Sequence, residues 1–387
     1  MKITEPIIRS MLDCDLYKFN MASVVFHDFS NDCVTYIFIL RSKVSFPSNF
    51  SEELQNQIQF LSQLEMTDAE AEWFRKVVSY HRPTYIEWLR HYRLDPREVT
   101  VIQNGDTIEI LISGYWYRVI FWEVKLMAII SELYFRLTTQ PAKGDWKLKI
   151  YEKAKKLSAA GCHWIDFGTR RRYSYEVQDA LVEIMTEFNG FLGTSNPHLA
   201  MKYNTIPQGT YAHECIMGMS ALYGARIADQ MWRSHWADHF MGNVGVALTD
   251  TFTSNVFWRN FDSYDARLFD GCRQDSGDEY EWGNAMLAHY KKLGILASNK
   301  RMVFSNGLNT DKYIAVDRYF RQFAQPCGGI GTHFTNDVGV SPLNMVIKLA
   351  SADFGNGSVG VVKISDDLGK HTGNADDVDL VKRELNL

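Results

Sequence analysis

An apolar run, Cys162-His163-Trp164-Ile165, leads into Asp166-Phe167-Gly168-Thr169-Arg170-Arg171-Arg172, so three consecutive guanidinium groups follow a strand signal. The planar fork of Arg matches carboxylate and phosphate oxygens two at a time, which makes this strand end a candidate anion site. Alone, such a triplet reads more readily as a solvated basic loop. Polar punctuation recurs, however, after one apolar run after another: Gly193-Thr194-Ser195, Gly209-Thr210-Tyr211-Ala212-His213-Glu214, Thr249-Asp250-Thr251, Arg273-Gln274-Asp275-Ser276-Gly277-Asp278, Ser305-Asn306-Gly307-Leu308-Asn309, and Gly329-Ile330-Gly331-Thr332-His333.

The residue types suggest distinct chemistries. In the segments running from Ser305 to Asn309 and from Gly329 to Thr332, glycine lets backbone N–H groups approach an anion next to hydroxyl and amide side chains, the make-up of a phosphate cradle; each is also an ordinary turn sequence. Asp275 and Asp278, with Arg273 before them and Asp250 from the preceding unit, could hold Mg²⁺ or stabilise a developing cation, although Asp-Ser-Gly-Asp by itself is a turn. His213 has the nucleophile or acid/base chemistry of imidazole. The pair His235 and His239 has the i, i+4 spacing of a metal face but lacks the Glu of H-E-x-x-H and a third ligand, so it reads as structural. No G-x-x-x-x-G-K-[ST] sequence occurs, so any nucleotide must use another cradle.

The elements that must position these groups alternate strand and helix. Helical spacing marks residues 151–160, closed by Gly161, and 174–188; further strands are expected near 190–192, 204–206, 244–248, 268–273, 301–304 and 323–331. About two hundred residues of alternating β and α imply a parallel sheet, and some seven βα units, one short of eight, imply closure into a barrel with its chemistry at the C-terminal strand ends. Ahead of it, the run from Cys33 to Leu40 is a strand, residues 51–64 and 68–80 are helical, and 99–112 form a hairpin about Asn104-Gly105. One long amphipathic helix is expected over 118–137, with Val119, Trp122, Leu126, Ile129, Ile130, Leu133 and Leu137 on one side. Two strands near 344–349 and 359–364 should rejoin the N-terminal sheet. These readings divide the chain into an N-terminal α/β domain (1–117), an α/β barrel (118–343) and a C-terminal hairpin and helix (344–387).

The 387 residues are 46% apolar, enough for a large core, and carry 41 basic against 46 acidic side chains, a net charge of −5. That balance argues against nucleic acid or a membrane surface as partner and leaves small anions to local basic patches. Six cysteines show no C-x-x-C pair, so reduced thiols and a cytoplasmic location are expected, and neither a signal peptide nor an apolar membrane span is evident.

Taken in order, Asp13-Cys14-Asp15-Leu16-Tyr17-Lys18 and the segments at 166–172, 209–214, 249–251, 273–278, 305–309 and 329–332 resemble the bacterial nicotinate phosphoribosyltransferases, of the type II phosphoribosyltransferase family, over nearly the whole chain. The resemblance implies an irregular, incomplete α/β barrel joined to an N-terminal α/β domain. It also implies a reaction in NAD salvage: nicotinate plus phosphoribosyl pyrophosphate (PRPP) gives nicotinate mononucleotide and pyrophosphate, coupled to ATP hydrolysis through a phosphohistidine, with Mg²⁺ as cofactor. By motif position His213 is that histidine, with Asp250 orienting and charging its imidazole. Phe167 and Tyr17 would sandwich the pyridine, Arg170 would pair with the nicotinate carboxylate, and Asp275 would lie near ribosyl C1. Arg273 and Mg²⁺, held by Asp275 and Asp278, would neutralise the pyrophosphate. Ser305, Gly307, Asn309, Gly329, Gly331 and Thr332 would hold the 5′-phosphate, and Thr210 joins the substrate-binding set. Family members are commonly homodimers with shared sites, so Tyr17 would reach the ring from the neighbouring chain.

Four other readings compete. A nicotinamide-using relative would leave a second guanidinium nothing to pair with, and a quinolinate enzyme would be shorter and lack the phosphohistidine segment. A non-catalytic nucleotide-binding barrel has no need of His213 or Asp275. An aldolase-like barrel needs a lysine at a strand end for an imine, and the only lysines within the expected strands, Lys348 and Lys363, fall outside the barrel.

Overall fold

A computed structural model describes residues 3–367 and 371–387. Two sheets organise it. The first is antiparallel and has five strands: β1 (Cys33–Leu40), β2 (Val99–Asn104) and β3 (Thr107–Tyr115) from the N-terminal region, and β10 (Met345–Asp353) and β11 (Val359–Gly360) from the tail. Their order is β11-β10-β1-β3-β2. The expected hairpin forms β2 and β3, with Asn104 opposite Thr107 and Gly105 at φ +63°, a conformation that favours glycine at the turn. Alternation then sets the faces: Ile108, Ile110 and Ile112 point into the core while Thr107, Glu109 and Leu111 are exposed.

The second sheet is parallel throughout and has six strands: β4 (Trp164–Asp166), β5 (Phe191–Thr194), β6 (Val246–Leu248), β7 (Gly271–Gln274), β8 (Arg301–Phe304) and β9 (Gln325–Ile330), in the order β5-β4-β9-β8-β7-β6. Helices connect successive strands, as parallel pairing requires. All six strands therefore end at one edge of the sheet, and every polar loop singled out by sequence gathers there.

Four expectations change. The strand near 204–206 is a turn with a single parallel bridge, Thr194 to Pro207, so seven expected units become six strands. Among the described residues no ladder joins the outer strands β5 and β6; the segment that follows the bridge crosses between them, and Tyr211 Oη accepts the Leu248 N–H at 3.3 Å. The helix over 118–137 is two helices, Trp116–Val119 and Trp122–Leu137, and the second is buried on nearly every side rather than amphipathic. Its polar residues are paired inside: Lys125 Nζ donates to the Met11 and Asp13 carbonyls at 2.8 and 3.2 Å, and Ser131 Oγ to the Arg172 carbonyl at 2.7 Å. A helical pattern counted as polar thus becomes core because its polar groups meet long-range partners.

The tail rejoins the first sheet through β10, antiparallel to β1 with Leu40 opposite Met345. The second tail strand ends early. Beyond β11 the chain leaves the sheet, and Ile364 bridges to Phe252 while Lys363 bridges to Thr372, which carries residue 363 to the C-terminal edge of the parallel sheet. All six cysteines are free thiols, five of them buried, and no described helix is long and apolar enough to cross a membrane.

Candidate active site

A cleft of about 670 Å³ opens over the C-terminal edge of the parallel sheet. Of the residues singled out from sequence, Tyr17, Phe167, Arg170, His213, Arg273 and Asp275 line it, together with Ser305, Gly307, Asn309, Gly329, Gly331 and Thr332. Asp250, Thr210 and Asp278 do not.

His213 opens the helix His213–Tyr223 after Ala212, whose backbone is extended (φ −124°, ψ 173°). Its Nδ1 lies 2.9 Å from Thr251 Oγ1 and its Nε2 3.0 Å from Asp275 Oδ2. Burial, helped by the Lys363 charge, lowers the imidazole pKa to about 4, so the ring is neutral at neutral pH. Burial acts to raise Asp275, but the His213 hydrogen bond and the Arg273 charge outweigh it and hold that carboxyl well below the usual range. Asp250, expected to orient the imidazole directly, sits one residue behind it. It is fully buried, and its Oδ2 accepts from Ser276 Oγ at 2.6 Å and from Lys363 Nζ at 3.2 Å. The Lys363 ammonium in turn lies 3.0 Å from His213 Nε2.

The arginine triplet divides by environment. Arg172 is fully buried outside the cleft lining and donates from Nη1 and Nη2 to the two Asp13 oxygens at 2.7 and 2.8 Å, a buried structural pair. Arg171 lines the cleft while its Nε donates to the Met345 carbonyl at 3.0 Å. Arg170 is the open one: its side chain is 43% exposed, 3.6 Å from Glu123 Oε1 and 3.9 Å from Asp15 Oδ2, and it faces the Tyr17 ring at 5.9 Å. Tyr17 lines the cleft within its own chain. The Leu16 N–H donates to the Ser195 carbonyl at 2.6 Å and anchors this first helix, Leu16–Asp28, on the loop after β5. The Tyr17 hydroxyl is buried without a hydrogen-bond partner, a donor aimed at nothing in the protein itself.

Of the two phosphate-cradle loops, the one after β8 leads into the helix Thr310–Phe320. Asn309 is its N-cap, accepting the Lys312 N–H at 2.9 Å, and Gly307 has φ +55° with open space where a Cβ would stand. Ser305 is less free than expected, because its hydroxyl donates to the Gln274 carbonyl at 2.7 Å and lies 3.1 Å from Asp275 Oδ1. After β9, a Cβ at Gly331 would stand 3.0 Å from the Phe167 carbonyl oxygen, so a side chain there would force these two loops slightly apart. Asp278, expected to ligate a metal, is the exposed N-cap of the helix Glu279–Lys292 and accepts the Tyr280 and Glu281 N–H groups at 2.8 and 2.9 Å. Thr210 packs outside the cleft, where a Cβ on Gly245 would meet its methyl group. Among the described residues no group of three His, Cys, Asp or Glu side chains is placed to hold a metal ion.

Sequence reasoning missed five charged residues that line the cleft: Arg41, Glu123, Lys348, Lys363 and Asp367. Lys348 stands on β10, and burial with the nearby Lys363 charge lowers its pKa to about 8. The two tail lysines were set aside as lying outside the barrel; they are outside the strands of the parallel sheet but line the cleft at its edge, and their isolation as lysines in apolar runs was the signal available. The absence of a lysine at the cleft therefore no longer counts against imine chemistry.

Residues 162–387 match the nicotinate phosphoribosyltransferase (NAPRTase) family and residues 12–131 its N-terminal domain. A nicotinate phosphoribosyltransferase of Desulforapulum autotrophicum is 43% identical across 96% of this chain and 97% of its own, and one of Chromohalobacter salexigens is 40% identical across 98% and 99%. Among solved structures, the nicotinate phosphoribosyltransferase of Porphyromonas gingivalis superposes with a TM-score of 0.95 at 35% identity, covering 98% of this chain and all of that one. With both regions matched and full-length relatives well above 30% identity, the chain belongs to the nicotinate phosphoribosyltransferase family.

Proposed function

We propose that this chain is an enzyme that transfers the phosphoribosyl group of PRPP to nicotinate, releasing pyrophosphate and nicotinate mononucleotide, and that it couples this to ATP hydrolysis through a phosphohistidine at His213. The observation that carries the reading is the convergence of a neutral His213, the low-pKa carboxylate Asp275 and the open guanidinium Arg170 on one cleft.

In the transfer step the pyridine nitrogen bonds to ribosyl C1 as the bond from C1 to the pyrophosphate oxygen breaks. Positive charge builds at C1 meanwhile, and an ionised, pre-positioned Asp275 stabilises it most at that point. Arg170 pairs with the nicotinate carboxylate through two parallel N–H bonds that an amide cannot match, while Tyr17 and Phe167 supply aromatic walls to the ring. Arg171 and Arg41 add positive charge to the same cleft, so two guanidiniums of the triplet, not three, favour the acid over nicotinamide. In the coupling step the imidazole lone pair attacks the terminal phosphorus of ATP, ADP leaves, and water later takes the phosphoryl group from nitrogen. Lys363 lies where it would offset the added negative charge.

Magnesium would arrive as the counter-ion of the pyrophosphate. A cation held largely by substrate phosphates and one or two carboxylates fits Asp275, which is in the cleft, and not Asp278, whose oxygen caps a helix. The reading extends to a parallel sheet that acts as an incomplete barrel, the residue 204–211 segment filling the gap between β5 and β6, and to the domain division at residues 117 and 343. A cytoplasmic homodimer with shared sites is also part of it.

The test is to incubate the protein with PRPP, Mg²⁺ and either nicotinate or nicotinamide, with and without ATP, and to follow label from terminally labelled ATP into protein. Nicotinate mononucleotide is expected, with acid-labile label on the wild type and none on His213→Ala, which keeps some uncoupled transfer. Equal, still-coupled turnover in His213→Ala refutes the phosphohistidine.

A further inference from the structure

The segment Asp13 to Lys18 gives Tyr17 to the cleft and Asp13 to Arg172, which leaves its last residue unexplained. Lys18 has no exposed side-chain surface, and its ammonium is shared between two carboxylates, Glu123 from the helix Trp122–Leu137 and Glu214 from the helix His213–Tyr223. Burial disfavours its charge, but Glu123 and Glu214 more than compensate and hold its pKa above the ordinary value. Glu123 also faces Arg170 Nη1 at 3.6 Å. Glu214 follows His213 in the first helical turn, and accepts from Tyr36 Oη at 3.1 Å. Both glutamates line the cleft, where a cluster with only a structural purpose would have no reason to open onto substrate.

We propose that Lys18 is a positioning residue that couples the acid-binding side of the cleft, at Arg170, to the phosphoryl-accepting side, at His213. The inference rests on the function proposed above. Its physical basis is that one buried ammonium serves two anions in a medium where charge–charge forces are strong. A substrate carboxylate on Arg170 competes with Glu123 for that guanidinium, so Glu123 draws harder on Lys18. Lys18 then holds Glu214 less, and the first turn that carries His213 responds. By linkage the effect is reciprocal: a phosphoryl group on His213 repels Glu214, shifts Lys18, and changes how firmly Glu123 holds Arg170. Tyr36 keeps Glu214 in place and so sets how far the shift travels.

The test compares the nicotinate KM with and without saturating ATP, alongside acid-labile labelling of the protein. The wild type is expected to change its KM by about five-fold or more on adding ATP, the lower range for coupled sites. Lys18→Met leaves two buried carboxylates without their cation and can fail to fold. The decisive variant is therefore the charge-balanced Lys18→Met/Glu214→Gln, with Tyr36→Phe as a milder second. The double variant is expected to stay folded by circular dichroism, to keep the label, and to bring the KM ratio to within about two-fold of one; Tyr36→Phe falls between. A labelled double variant with the wild-type ratio overturns the proposal, as does a folded one that loses the label, since Lys18 would then serve His213 alone. A labelled wild type whose KM ignores ATP also overturns it while sparing the proposed function. An unlabelled wild type instead overturns the phosphohistidine reading on which it stands.

Discussion

Replacing Arg172 and Arg170 separately by Met should produce opposite phenotypes, although the two residues are two positions apart. Arg172 and Asp13 are both fully buried and joined by two hydrogen bonds of 2.7 and 2.8 Å, with Asn196 Nδ2 adding a third to Asp13 at 2.7 Å. Removing the guanidinium leaves a buried carboxylate unpaired, which costs about 3–5 kcal/mol. Asp13→Asn in the same chain removes the stranded charge and should recover much of that loss. Arg170→Met should cost far less stability, because its side chain is 43% exposed and its carboxylate neighbours are 3.6 and 3.9 Å away. Its effect should fall on nicotinate: losing a charge-assisted hydrogen-bonded pair, about 1.5–3 kcal/mol, lowers kcat/KM roughly 10- to 150-fold. Urea unfolding followed by tryptophan fluorescence reads the first effect, and initial rates over a nicotinate series read the second. If Arg172→Met unfolded at the wild-type midpoint yet raised the nicotinate KM, the division of the triplet into structural and substrate-binding members would be wrong.

Lys348, its pKa lowered by burial to about 8, should carry charge at neutral pH and lose it as pH rises through that value, so the PRPP KM should climb between pH 7 and 9. Lys348→Met should show a high KM without that limb. The same depression means that the unfolded chain holds one proton more than the native one between about pH 8 and the ordinary lysine value, so wild-type stability relative to Lys348→Met should rise with pH there; a falling difference contradicts the assignment. Lys363→Met strands the fully buried Asp250 and should destabilise the protein by about 3–5 kcal/mol, with Asp250→Asn restoring stability but not phosphorylation of His213. Recovery of both would show that Lys363 acts only on Asp250. Gly193→Ala places a Cβ 1.9 Å from the Ile206 carbonyl oxygen at a residue with φ +126°, so strain and overpacking together should lower the unfolding free energy by about 2–5 kcal/mol. A wild-type denaturation curve would mean that the 204–207 segment does not lie against β5 as described.

Local rules brought much of this molecule within reach of its sequence. Period-two alternation and Asn104-Gly105 specified the β2–β3 hairpin, Ser174 and Gly161 marked a helix start and stop, and alternating strands and helices specified a parallel sheet whose polar loops share one edge. Those signals are legible because they depend on neighbours a few residues apart. The polar loops could therefore be named in advance, and 12 of the 15 site residues singled out from sequence do line the cleft. Tertiary structure alone decided what each charge meets. Arg172 finds Asp13 across 159 residues and becomes a core pair, whereas Arg170, in the same 3₁₀ turn, stays open. Lys363 crosses 150 residues to His213, and Asp278, identical in sequence terms to a metal ligand, caps a helix. Sequence fixes a side chain's charge and reach, but burial and pairing set whether that charge is neutralised or available, and both depend on segments brought together only when the two sheets pack.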